Sequence, residues 1–120
     1  HISDEQPDLM KPYLGLMITK LADPQHEAVT RSIVRFLAEI EELPEDLQGP
    51  CADYAFEFLM DPNVPVAIRV HSMQILANLC KLYPELAPEL RIVIDEHFPH
   101  GSAGFKSRAK KVLKQLDKLA

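Results

Sequence analysis

The chain has 120 residues, 47% of them apolar, and a formal charge of −5. That length makes one domain, and that apolar share can fill a core, which excludes a disordered chain. Scarce glycine and short β-branched runs favour helices over a sandwich, and no apolar run reaches the roughly 18 residues that span a bilayer. No secretory signal pattern is visible, so the expected location is the cytoplasm. The chain opens on His1 rather than Met, which predicts further sequence upstream. Charge is unevenly spread: residues 100–120 are net +5 and residues 1–99 net −10. A general nucleic-acid binder tends instead to be basic over its whole domain.

The first helix is predicted over about Asp8 to Leu21. Leu9, Met10, Tyr13, Leu14, Leu16, Met17, Ile18 and Leu21 cover more than one stripe of it, so it should be buried on most sides. Upstream repeats would supply that cover; the other candidate is a second copy, in a homodimer through this helix. Asp23-Pro24 then breaks the chain and starts a second helix, about Pro24 to Glu42, with Asp as N-cap and Pro at the first helical position. Leu43-Pro44 ends it. A third helix follows over about Glu45 to Met60, with Ala52, Ala55, Phe56 and Leu59 as its core edge. Gly49-Pro50 marks either the true start of that helix or a kink in it. Asp61-Pro62 precedes a fourth helix, about Val64 to Leu82, and Tyr83-Pro84 closes it. A fifth, Pro84 to about His97, buries Leu86, Leu90, Val93, Ile94 and the following Phe98. After the turn at His100-Gly101-Ser102 comes a sixth, about Ser102 to Leu119.

The fourth helix sets a pattern that the others repeat. Ile68, Ser72, Ile75, Leu76 and Leu79 fall on one stripe. Val29, Ile33, Phe36, Leu37 and Ile40 form a similar stripe 39 residues earlier, and Phe105, Ala109, Val112, Leu113 and Leu116 do so 37 residues later. Six helices joined by short proline-marked turns predict antiparallel neighbours. Two helices per period predict an α-solenoid. The expected fold is therefore all-α, a right-handed α-α superhelix of three antiparallel helix pairs. Its repeats would cover about 7–43, 44–82 and 83–120.

Asp61-Pro62, Ile68, Arg69, Ser72, Leu76 and Leu79 carry an Asp-Pro turn, then aliphatic, basic and small residues, then spaced leucines. In this the chain resembles the HEAT-repeat family over nearly its whole length. The first repeat keeps Asp23-Pro24, Val29, Ile33, Leu37 and Ile40, with Thr30 in the basic position. The third keeps Phe105, Lys106, Ala109, Leu113 and Leu116, with His100-Gly101 in place of Asp-Pro. The resemblance implies a scaffold or adaptor, though fold alone does not fix function. A minority of HEAT-like proteins are alkylation-repair DNA glycosylases that rely on Trp and other aromatics in a basic concave face, and this chain has no Trp.

Candidate chemistry is sparse. There is no HExxH, no GxSxG, no phosphate loop and no glycine-rich dinucleotide fingerprint. Asp95, Glu96, His97 and His100 are the densest set of potential metal ligands. Histidines at a helix C-terminus are favoured by its dipole, and a four-coordinate geometry is not evident, so no metal is expected. Ser72 sits on the core stripe beside His71 and reads as a packed small residue rather than a nucleophile. Glu39, Glu41, Glu42, Glu45 and Asp46 read as a solvated acidic turn without EF-hand spacing. Cys51 and Cys80 read as buried reduced thiols. Neither an enzyme nor a cofactor is expected.

A binding surface is the better lead. Val66, Val70, Met73 and Ala77 form a second stripe on the fourth helix, roughly opposite the core stripe, with Gln74 beside it. That stripe either packs on neighbouring helices or lines a shallow groove for a partner. The groove reading makes this a non-catalytic protein-interaction module that binds through its inner helices. Arg31, Val66, Val70, Met73, Gln74, Ala77, Lys110 and Lys114 would be its contacts. The basic last helix favours an acidic amphipathic helix as the protein partner. The alternative is nucleic-acid binding through Lys106, Arg108, Lys110, Lys111 and Lys114.

Overall fold

A computed structural model describes residues 7–23, 26–40 and 42–119, with side chains from Pro12 onward. Every regular element among the described residues is a helix, with no strand. The helices are α1 (Pro7–Lys20), α2 (Glu27–Glu39), α3 (Glu45–Met60), α4 (Val66–Cys80), α5 (Ala87–His97) and α6 (Ala103–Asp117). Short 3-10 turns at Pro84–Leu86 and Phe98–His100 flank α5. None of these helices is long and apolar enough to cross a membrane.

Proline and capping residues set most of the boundaries. Pro44 and Pro65 occupy the N-cap positions of α3 and α4 with extended ψ values of 140° and 142°. A residue before proline is held out of the α region, so Val64 stays outside α4, although the sequence predicts a start there. The Asp61 carboxylate accepts the Asn63 N–H at 2.9 Å, which closes the preceding turn. Ser102 caps α6 by accepting the Phe105 N–H at 3.2 Å. Gly101 precedes that cap for a steric reason: a Cβ there would lie 2.6 Å from Phe105 Cδ1. The helix α3 continues through Gly49-Pro50 from its start at Glu45. The second helix begins at Glu27 rather than Pro24, and Pro24 itself lies outside the described residues.

Contacts sort the helices into two rows. The row α1, α3, α5 touches in sequence, as does the row α2, α4, α6, and across the rows α1 meets α2, α3 meets α4, α4 meets α5 and α5 meets α6. The shortest molecular dimension, 22 Å, is that of two helix layers. α4 lies between α2 and α6, with α3 and α5 behind it. Nine of its fifteen residues are buried, so it is the centre of the core.

The predicted α4 stripe of Ile68, Ser72, Ile75, Leu76 and Leu79 is wholly buried. So are Phe105, Ala109, Val112 and Leu116 on α6. Burying Phe105 alone contributes about 1.5–3 kcal/mol. On α2 the stripe is rotated by one residue. Val29 is 43% exposed, while Thr30, Ile33, Val34 and Leu37 are buried. The physical reason is that α2 turns Thr30 and Val34 toward its packing against α4, which leaves Val29 on the free side. Cys51 and Cys80 are both free and buried. Burial pushes the Cys51 thiol up to about 12 and raises that of Cys80 as well.

Candidate functional site

Arg69 is the buried cation among the described residues, and its partners are structural. Its Nε and Nη2 donate to the Leu59 carbonyl at 3.2 and 2.8 Å, satisfying an orphan carbonyl at the C-terminus of α3. Nη2 also lies 3.0 Å from His97 Nδ1. A guanidinium can only donate, so Nδ1 accepts and the ring proton sits on Nε2. The guanidinium carbon lies 4.7 Å from the centroid of the Phe105 ring. One side chain on α4 therefore ties α3, α5 and α6 together. Burial lowers the Arg69 pKa from its ordinary value, and the Asp61 carboxylate acts the other way. His97 is thus committed to packing. Among the described residues no group of three or more His, Cys, Asp or Glu side chains is placed to hold a metal ion. Ser72 Oγ is fully buried without a hydrogen-bond partner in the core, with no base to activate it.

The stripe expected to dock a partner divides between core and surface. Met73 and Ala77 have 0% exposure and belong to the core, not to a surface. The reason is that α4 has a neighbour on each side, so its lateral stripes become contacts between helices. Val66 is exposed in the first turn, and Val70 and Gln74 are half-buried. Arg31 on α2 and Lys110 and Lys114 on α6 are exposed. Of the predicted nucleic-acid contacts, Lys111 is exposed as well, while Lys106 and Arg108 are half-buried. Lys106 Nζ lies 5.7 Å from the Phe98 ring centroid, and Arg108 Nη1 donates to Gln74 Oε1 at 3.2 Å. Tyr13 and Leu16 on α1 are 62% and 58% exposed. Leu9 and Met10 lie outside the described side chains, and Glu41 outside the described residues.

What α4 does show to solvent is a polar seam. Ala67, His71, Gln74 and Asn78 are spaced four, three and four apart and are each partly exposed. Asn78 Nδ2 donates to the Ala38 carbonyl on α2 at 3.0 Å. Gln74 Nε2 donates to Asn78 Oδ1 at 3.0 Å and to Gln115 Oε1 on α6 at 3.1 Å. The seam thus stitches the row α2, α4, α6 with amides. His71 lies within it, its pKa lowered first by partial burial, then by Arg108 and Arg35, with Glu39 opposing. Two guanidiniums from two different helices therefore raise the potential over one imidazole. Apart from the buried Arg69, α4 has no charged side chain. α3, in the opposite row, carries Glu45, Asp46, Asp53 and Glu57 and no Lys or Arg.

The seam was open to sequence reading only in part. Polar residues at 71, 74 and 78 interrupt an otherwise apolar helix at helical spacing. Repeat offsets of 39 and 37 residues align Arg35 with Gln74 and His71 with Arg108. Arg35, His71 and Asn78 were nevertheless not among the expected contacts, because the hydrophobic stripe carried the stronger signal.

An all-helical chain in two contacting rows, with a buried cation locking the helices and an amide seam along one row, has the build of a helical-repeat protein. A family model described as a HEAT repeat domain matches residues 1–116, and the chain belongs to the HEAT repeat family. Repeats of this family generally serve as protein-interaction scaffolds. Comparison with curated proteins and with solved structures gives no match.

Proposed function

We propose that the chain is a non-catalytic protein-interaction module. In this reading its three helix pairs stack as an α-α superhelix, with α2, α4 and α6 forming the inner face that receives a partner. One observation carries the proposal: the solvent-facing stripe of α4 lies between α2 and α6 and is lined by amides, an imidazole and flanking arginines. Such groups recognise a ligand through hydrogen bonds and charge. No nucleophile–base pair accompanies them. Membership of a scaffold family supports the same reading.

A photoreactive residue in place of Ser32 on α2 or Ser107 on α6, both exposed, tests it. The expected result in nuclease-treated lysate is a protein adduct from either position and none from the same residue in place of Asp53 on α3. Adducts from the Asp53 position alone would place the partner on the other row and defeat the proposal.

A further inference from the structure

We propose that the inner row clasps a carboxylate-rich helix of a partner protein, with Arg35 on α2 and Arg108 on α6 each taking a carboxylate across His71. This rests on the interaction reading above and adds the chemistry of the partner and the residues that anchor it.

Four observations on the molecule point the same way. First, Arg35 and Arg108 come from helices that do not touch one another, yet both act on His71. Their parent helices flank α4, so the two guanidiniums reach His71 from either side of the α4 ridge. Second, each guanidinium is partly held in place. Arg108 Nη1 is fixed by Gln74 Oε1 at 3.2 Å, and Arg35 Nε lies 3.4 Å from Glu39 Oε1. Arginine presents its donors in a planar fork, so the remaining N–H groups of each suit a carboxylate. Third, the α4 floor between them carries no anion, since Ala67, His71, Gln74 and Asn78 are uncharged at neutral pH, while the Glu39 carboxylate on α2 meets Arg35 through Nε. Fourth, none of the seam residues Ala67, His71, Gln74 and Asn78 is a Phe, Tyr or Trp, so bases lack a broad stacking platform there. The acidic row behind also opposes a long polyanion. These last two points favour carboxylates on a peptide over a nucleic-acid backbone.

The imidazole gives the site a pH response. The charged groups acting on it are Arg35 and Glu39 from α2 and Arg108 from α6, while α3 and α5 contribute none. A carboxylate bound at the two arginines offsets their repulsion of the imidazolium, so the complex holds a proton on His71 more readily than the free protein does. Binding then tightens as pH falls through and below the ordinary imidazole range of about 6.5.

The test uses a fluorescein-labelled amphipathic peptide with glutamates at helical i, i+4 spacing, followed by anisotropy at low and physiological salt. Saturable binding is expected, tighter at low salt and tighter at pH 6 than at pH 8. Arg35→Ala with Arg108→Ala should weaken it by about tenfold, as expected for two solvent-exposed charge pairs. Lys20→Ala, on an exposed side chain of α1 in the other row, should leave it within about twofold. Circular dichroism checks each variant for folding. If the Arg108 substitution perturbs α6, Arg35→Ala alone, on an exposed side chain, still has to weaken binding. Charge reversal at both arginines should transfer the preference to a peptide with lysines in the same positions.

Absence of peptide binding at low salt overturns the proposal. Equal binding by the double arginine variant overturns the anchors while leaving the photocrosslinking result for the inner row intact. Binding of a labelled oligothymidine in place of the peptide overturns the proposal and assigns the surface to nucleic acid. Crosslinking from Asp53 alone would remove the underlying interaction reading, whatever the peptide does.

Discussion

Equivalent positions in α4 and α6 carry opposite chemistry. Met73 and Ala77 are fully buried, while Lys110 and Lys114, 37 residues on, are exposed. His71 and Gln74 correspond to Arg108 and Lys111. The stripes that face the second row match closely: Ile68 with Phe105, Ser72 with Ala109, Ile75 with Val112, Leu79 with Leu116, all buried. The difference lies in neighbours. α4 is flanked by both α2 and α6, whereas α6 is flanked in its row by α4 alone. Met73 and Ala77 are thus apolar on a helix packed from both sides of its row, and Lys110 and Lys114 basic on one that is packed here from one side.

Exchanging residues between the two helices breaks the comparison most strongly. Met73→Lys puts an unpaired ammonium where there is no water, at a cost of more than about 4 kcal/mol. That is a large part of the roughly 5–15 kcal/mol that holds a domain folded, so urea denaturation should find the variant largely unfolded. The basic position sharpens the contrast next. Arg69 and Lys106 are equivalent, and each lies over an aromatic ring, but only Arg69 is buried and bonded to a helix-end carbonyl. Arg69→Ala should destabilise by about 2–4 kcal/mol, since it orphans the Leu59 carbonyl. Lys106→Ala should cost at most about 1 kcal/mol. The turn into α6 comes third. Gly101→Ala forces a methyl group against the Phe105 ring and should lower stability by about 1–3 kcal/mol in a thermal melt.

The seam gives a smaller effect that depends on pH. The folded pKa of His71 lies below its ordinary value, so the unfolded chain binds more protons on lowering pH. Stability from this residue is present above the ordinary imidazole range and is lost as pH falls through the lowered folded value. His71→Gln should flatten the stability–pH profile between about pH 7 and pH 5 relative to the unmodified protein, a difference read directly from paired melts. The smallest effect is the converse exchange on α6. Lys110→Met stays on an open face and should shift stability by no more than about 0.5 kcal/mol.

Much of the helical layout was legible in the chain. Prolines at 44, 62, 65 and 84 stand between helices and Pro88 in the first turn of α5, where proline is tolerated, whereas Pro12 and Pro50 lie inside helices and mark no end. The α4 core stripe was legible because a helix buried on its inner side needs apolar groups at that spacing and no others fit. The docking stripe was misjudged at Met73 and Ala77 because spacing reports which residues share a side, not what stands against that side. Val29 and Thr30 were exchanged for the same reason: both are one step from a buried position, and only the neighbouring helices choose between them. Charge behaved likewise. Along the chain it divides near residue 100, but in space the carboxylates of α3 and the arginines around His71 lie on opposite rows.

The sequence by itself determined that this protein is built of helices, where most of them start and stop, and which apolar stripe of α4 and α6 enters the core. These are local properties, set by backbone restriction and by the periodicity of apolar side chains. Tertiary structure alone decided that Arg69 locks three helices and that Met73 is core while Lys110 is surface. It also decided that Arg35 and Arg108, 73 residues apart, act on one imidazole. Each of those depends on which helix stands beside which, and a helix face has no means of recording its neighbour until the rows are assembled.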